Sequence, residues 1–200
     1  VPFTLNETQL DALCELANIA SGGAAGALSQ MLAREVDISV PRAVALPLAD
    51  AIDACGAPED EMTAVAIGVT GDLTGQVLLL TPPEQSRRLC SLLGVEFGTE
   101  VGDSALREIG NILGTTYLNG LSAMTGLTLI PCPPVLQVDM LAALLASIMA
   151  VTIGEQDLAL LLDSELTIAQ ERCAITFMLL PTSNGIGDLL APLGIGPGDA

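Results

Sequence analysis

The chain has 200 residues, half of them hydrophobic, with 24 acidic side chains against six basic ones and a formal charge of −18. All six bases are Arg; Lys, His and Trp are absent, and three Phe and one Tyr are the only aromatics. This composition excludes a Ser-His-Asp triad, a Cys-His pair, a His-ligated zinc site, a P-loop lysine and a lysine Schiff base. It also leaves no basic footprint and no stacking platform for nucleic acid.

A chain of this length suits one domain, residues 1–200, with a large core that must be aliphatic. The longest apolar run, MLAALLASIMAVTI at 140–153, is too short to cross a bilayer and fits a buried helix. No export signal opens the chain, so a cytoplasmic protein without a membrane partner is expected. Cys14, Cys55, Cys90, Cys132 and Cys173 are odd in number and widely spaced, with no CxxC. They read as small buried hydrophobes in a reducing cytoplasm. The acidity costs self-repulsion that salt relieves, the Debye length falling to about 3 Å at molar salt. A salt-rich, halophilic cytoplasm is the expectation; a basic partner surface and drift are the alternatives.

In chain order, the first element is a long amphipathic helix. At 100° per residue Asp11, Glu15 and Asn18 fall within about 60° of one another, with Leu10, Leu13, Leu16, Ala17 and Ala20 on the opposite side. Gly22, Gly23 and Gly26 follow, each costing about 1 kcal/mol relative to Ala in a helix, and are expected to mark a bend or a close packing contact. A shorter helix or strand comes next, then a helix at LADAIDACG (48–56). The turn signal Gly71-Asp72 separates TAVAIGVTG (63–71) from LTGQVLLLT (73–81), two strands in hairpin style. Pro82 and Pro83 suit the start, and Gly94 the end, of a closing helix. EDEM at 59–62 reads as a solvated turn, since it lacks the spaced oxygen ligands of a calcium or magnesium site.

The second half repeats this order. Shifted by 93, residues 11–41 match 104–134 at Ala12/Ala105, Leu13/Leu106, Glu15/Glu108, Asn18/Asn111, Ile19/Ile112, Leu28/Leu121, Ser29/Ser122, Met31/Met124 and Pro41/Pro134. Then come a helix at 140–154, strands at DLALLLDSELTIA and CAITFMLLP, and a closing helix at NGIGDLLAPLG ending near Gly194. Two repeats, about 5–97 and about 98–196, predict an α+β fold. One sheet made from both halves is covered by helices, two of them long and motif-bearing, about a pseudo-two-fold axis.

The repeated long helix keeps more than its core. Ser104, Glu108 and Asn111 form a second polar stripe, backed by Leu106, Ile109, Gly110 and Leu113. Duplication preserves core positions readily, but it gives no reason to retain an exposed Glu and Asn while their neighbours diverge. The pattern Asp/Ser-x3-Glu-x2-Asn-x22-Pro resembles the signature of the CheC/CheX/FliY family of chemotaxis phosphatases. It is met by Asp11, Glu15, Asn18 and Pro41, and again by Ser104, Glu108, Asn111 and Pro134. Two motifs argue against the CheX branch, and the lack of a further domain after about residue 195 argues against FliY. The CheC branch fits best.

The resemblance implies a phosphatase acting on the aspartyl phosphate of a CheY-type receiver, and binding of the deamidase CheD. Asn18 and Asn111 would orient the attacking water, while Glu15 and Glu108 would pair with the receiver's lysine. Asp11 and Ser104 would flank the motif or touch the docking surface. Pro41 and Pro134 would be structural, ending the connection into the sheet. No cofactor or metal of the chain's own is implied, because the receiver brings magnesium, and a monomer is expected. Two other readings stay open: a non-catalytic adaptor for CheD or a receiver, and a structural part of a flagellar switch.

Overall fold

The apolar runs of this chain fold into one antiparallel sheet whose central strands are buried on both faces. The computed structural model describes residues 7–152, 158–168, 170–182 and 189. The first half contains α1 (Glu7–Leu32), β1 (Val36–Pro47), α2 (Leu48–Cys55), β2 (Glu61–Gly71), β3 (Gly75–Thr81) and α3 (Pro83–Leu92). The second contains α4 (Glu100–Thr125), β4 (Leu129–Pro131), β5 (Val135–Met140), α5 (Leu141–Thr152), β6 (Leu158–Ile168) and β7 (Glu171–Pro181). Shifted by 93, β1 becomes 129–140, the combined span of β4 and β5. The element expected as a shorter helix or strand is therefore a strand in both halves. Of the closing helix expected at 184–194, only Leu189 is described, and it is buried; Gly194 lies outside the described residues.

Strand order is β1-β6-β7-β3-β2-β4, with β5 also on β2. The two hairpins, β2–β3 and β6–β7, meet at the central pair β3–β7. Each half sends its first strand across to the other half's hairpin: β1 pairs with β6, and β4 and β5 pair with β2. This exchange is the pseudo-two-fold relation expected of the repeats.

Side chains alternate across the strands, so a continuous apolar run serves two cores. Val77, Leu79, Leu160, Leu162, Phe177 and Leu179 face α1, α3 and α4. Their neighbours Leu78, Leu80, Leu161, Met178 and Leu180 face α2 and α5. The single Tyr anchors the first layer: Tyr117 stacks edge-on against Phe177 at 5.0 Å, and its hydroxyl bonds the Ser164 hydroxyl at 2.8 Å.

The ends of α4 are well specified. Thr99 caps its first turn, Oγ1 accepting from Gly102 N at 3.1 Å, and Gly126 ends it in the left-handed region at φ 72°. The equivalent residue after α1 is Ala33, held at φ 49° without glycine's freedom. Gly71 is also required as glycine, both for its positive φ of 114° and because a Cβ there would collide with the Thr128 carbonyl oxygen.

The glycines of α1 do not make the close contact expected of them. The helix runs unbroken through Gly22, Gly23 and Gly26; a Cβ on Gly22 or Gly26 would meet nothing within 4 Å, and one on Gly23 only Thr116 at 3.7 Å. The close contacts belong to α4. A Cβ on Gly110 would lie 2.7 Å from Val65, one on Gly114 2.5 Å from Ile67, and one on Gly120 2.5 Å from Ala20 of α1. These glycines let α4 settle onto β2 and against α1.

Candidate functional site

Both motif helices turn an apolar face to the sheet and a polar stripe away from it. Leu13 and Ala17 of α1 are buried, as are Leu106, Ile109, Gly110 and Leu113 of α4. Asp11, Glu15, Asn18, Ser104 and Glu108 are exposed, and Asn111 is half-buried. Each stripe has an exposed apolar neighbour that sequence reasoning did not single out: Ile19, 70% exposed beside Asn18, and Val101, 63% exposed one turn before Ser104.

Some repeated residues do the same work in both halves. Ser29 Oγ accepts a hydrogen bond from Val36 N at 3.0 Å, and Ser122 Oγ accepts one from Leu129 N at 3.1 Å, so each ties its helix to the start of the following strand. Leu28 and Leu121 are buried in the same core.

The two Asn side chains do not behave alike. Asn18 Nδ2 donates to Val40 O at 3.1 Å and to Cys14 O at 2.8 Å, while its Oδ1 accepts from Val40 N at 2.7 Å. Ser21 Oγ adds a bond to Ile38 O at 3.2 Å. Asn111 has one weak tie among the described residues, its Oδ1 accepting from Thr115 Oγ1 at 3.4 Å.

Both motif prolines mark interruptions in edge strands and do not end the connection into the sheet. Pro41 lies within β1, where the register with β6 shifts between Ser39 and Arg42. Pro134 lies in the gap between β4 and β5. Proline has no N–H to give to a ladder, so it collects at edges and irregularities.

The thiol nearest the motif is disfavoured as a thiolate. Burial, opposed by a backbone hydrogen bond with Ala43 and reinforced by the Asp11 charge, holds Cys14 above its ordinary pKa. All five cysteines are free. EDEM is only partly the expected turn: Glu59 and Asp60 lie in it, with Ala57 N donating to Asp60 Oδ2 at 2.8 Å, while Glu61 and the buried Met62 already begin β2. Among the described residues no helix is long and apolar enough to cross a membrane.

The family model of the CheC-like family matches residues 9–44 and 101–138, one stretch for each motif helix and the strand after it. A CheY-P phosphatase CheC from Bacillus subtilis (strain 168) is 33% identical over 150 residues, covering 71% of this chain and 72% of the relative. Among solved structures, Thermotoga maritima FliY superposes with a TM-score of 0.74 at 20% identity, over 95% of this chain and 98% of that one. FliM in a FliM-SpeE complex from H. pylori gives 0.69 at 10% identity, over 95% and 96%. At these identities the two structures speak for the fold alone.

Proposed function

The chain belongs to the CheC-like family, and we propose that it hydrolyses the aspartyl phosphate of a CheY-type receiver in the cytoplasm. The observation that carries this reading is the Glu/Asn stripe, exposed on α1 and exposed at Glu108 with Asn111 half-buried on α4, and backed each time by a buried apolar face.

The chemistry suits the residues available. An acyl phosphate is already reactive, so its hydrolysis needs a water held in line with the phosphorus more than it needs a strong base. A neutral amide does this by accepting a hydrogen bond from the water and donating one of its own. Glu15 and Glu108 sit one turn before their Asn, exposed, where a carboxylate meets a cation on a docked partner. In this reading that cation is the receiver's lysine, and the register it sets brings the amide over the acyl phosphate. Magnesium and the phosphorylated Asp belong to the receiver; this chain contributes docking and the orientation of water. Ile19 and Val101 add apolar contact beside each stripe.

The test is phosphate release from a pre-phosphorylated receiver after addition of substoichiometric protein. Release well above the receiver's own rate, with many turnovers per chain, supports the proposal. A receiver that binds without faster release would make the protein an adaptor. CheD, the second partner suggested by the resemblance, is tested by titrating it into the same assay and measuring complex formation.

A further inference from the structure

We propose that the two motif surfaces have separate duties: Asn111 of α4 orients the water, while Asn18 of α1 is chiefly a clasp that holds its helix to β1. This rests on the phosphatase reading above.

An Asn amide offers two N–H donors and two acceptor lone pairs. On Asn18 both donors are occupied, by Cys14 O and Val40 O, and Val40 N takes one lone pair. Nothing is left with which to donate to a substrate or a water. The demand comes from the strand. Val40 and Pro41 fall where the β1–β6 register shifts and have no Cα partners on β6, so the Val40 N–H and C=O turn to the helix instead.

The second repeat lacks two parts of this clasp, the strand N–H and the helix hydroxyl. Shifted by 93, Val40 becomes Pro133, which has no N–H, and Ser21, which bonds Ile38 O, becomes Gly114, which has no hydroxyl. Asn111 is left with Thr115 Oγ1 at 3.4 Å, and both its N–H donors are free among the described residues. The charge differs in the same sense. The α1 stripe carries Asp11 and Glu15 on a helix with no base, whereas α4 has Ser104 in place of Asp11 and Arg107 in place of Cys14. Arg107 lies one turn before Asn111 and makes no ion pair with any described residue. From the first turn to the motif Asn, α4 carries three acids (Glu100, Asp103 and Glu108) and one base, whereas α1 carries three acids (Glu7, Asp11 and Glu15) and no base, so an anionic phosphoryl group meets the less negative surface at α4.

The experiment measures hydrolysis of a phosphorylated CheY-type receiver, and receiver binding, with the full chain and four single variants: Asn18→Ala, Asn111→Ala, Val40→Pro and Pro133→Val. Thermal unfolding of each accompanies the kinetics. Asn111→Ala is expected to lose at least about tenfold more of the acceleration than Asn18→Ala. The Tm is expected to fall by about 4 °C for Asn18→Ala and to hold for Asn111→Ala. Pro133→Val restores an N–H for Asn111 and is expected to slow turnover several-fold, in the range of about 1 kcal/mol of hydrogen bonding, without loss of receiver binding. In the Asn111→Ala background, Val40→Pro frees only Asn18 Oδ1 and leaves both N–H donors on Cys14 O and Val40 O, so it is expected to recover none of the lost rate; recovery would contradict the occupied donors as the reason Asn18 is idle.

Equal losses for Asn18→Ala and Asn111→Ala would overturn the division of duties and leave the phosphatase reading intact. Wild-type rates in Pro133→Val would contradict the role of the missing N–H. No acceleration by the wild type would overturn the phosphatase reading, and this inference with it.

Discussion

The side-chain amide of Asn18 and the backbone of Val40 meet as two strands of an antiparallel ladder do, each giving one hydrogen bond and taking one. The pair closes the gap that the irregularity around Pro41 opens in an edge strand. If the two residues form one unit, removing either partner loses most of the energy of both. Asn18→Ala and Val40→Pro should each cost about 2 kcal/mol in urea unfolding, and the double variant little more than either alone. Additive costs would show that the amide and the strand are energetically separate.

The glycines of the two motif helices are expected to diverge under substitution. Gly22→Ala and Gly26→Ala place a methyl in open space on a helix and should each stabilise the protein by about 0.5–1 kcal/mol. Gly110→Ala drives a Cβ to 2.7 Å from Val65 on the buried face of α4 and should destabilise by about 1–3 kcal/mol. Chemical denaturation of the three variants checks this, and a stabilising Gly110→Ala would contradict the packing of α4 on β2.

These glycines also show what the sequence could and could not say. The helices, the two hairpins and the exposed stripes were legible because each depends on local periodicity and turn residues. Residues 36–47 were ambiguous between helix and strand, since Pro41 interrupts an alternation that needs β6, more than a hundred residues away, to make it a strand. Which glycines touch another element depends on the helix–sheet approach, so the conspicuous cluster at 22–26 drew attention away from Gly110, Gly114 and Gly120. The Val40/Pro133 and Ser21/Gly114 differences lie open in the repeat alignment. Their meaning needs the hydrogen bonds of Asn18, because an identity match at Asn18/Asn111 conceals two different surroundings.

Stability should fall at alkaline pH. Burial, assisted by the Asp163 charge, raises the Cys55 thiol to about 11 from an ordinary value of 9.0. An acid whose folded pKa lies above its unfolded one binds more protons when native, so its contribution is complete below about pH 9 and is lost as pH rises to about 11. The slope from this one proton is at most about 1.4 kcal/mol per pH unit, reduced by the partial exposure of Cys55. Urea midpoints between pH 8 and 11 should decline, and Cys55→Ala should flatten the decline. An unchanged slope in that variant would place the titration elsewhere.

Salt should act in the opposite direction. Against the net charge of −18, three ion pairs are present among the described residues: Arg42–Asp163, Arg88–Glu171 and Arg172–Glu165, all partly or fully solvent-exposed. Screening weakens these pairs, each worth about 1 kcal/mol or less, but it relieves the repulsion among many more acids. The Tm is expected to rise steadily from about 0.1 M to molar KCl, where the Debye length is about 3 Å. A flat or falling Tm would show that the acids are spaced widely enough to need no screening.

The central claim is that an amide on α4 turns this fold into a phosphatase. The most direct measurement is the single-turnover decay of a phosphorylated CheY-type receiver under saturating protein, comparing wild type with Asn111→Ala, with complex formation recorded in the same samples. Rapid decay is expected with the wild type, and decay at the receiver's own rate, or close to it, with Asn111→Ala still bound. Equal decay in the two bound complexes would contradict that claim.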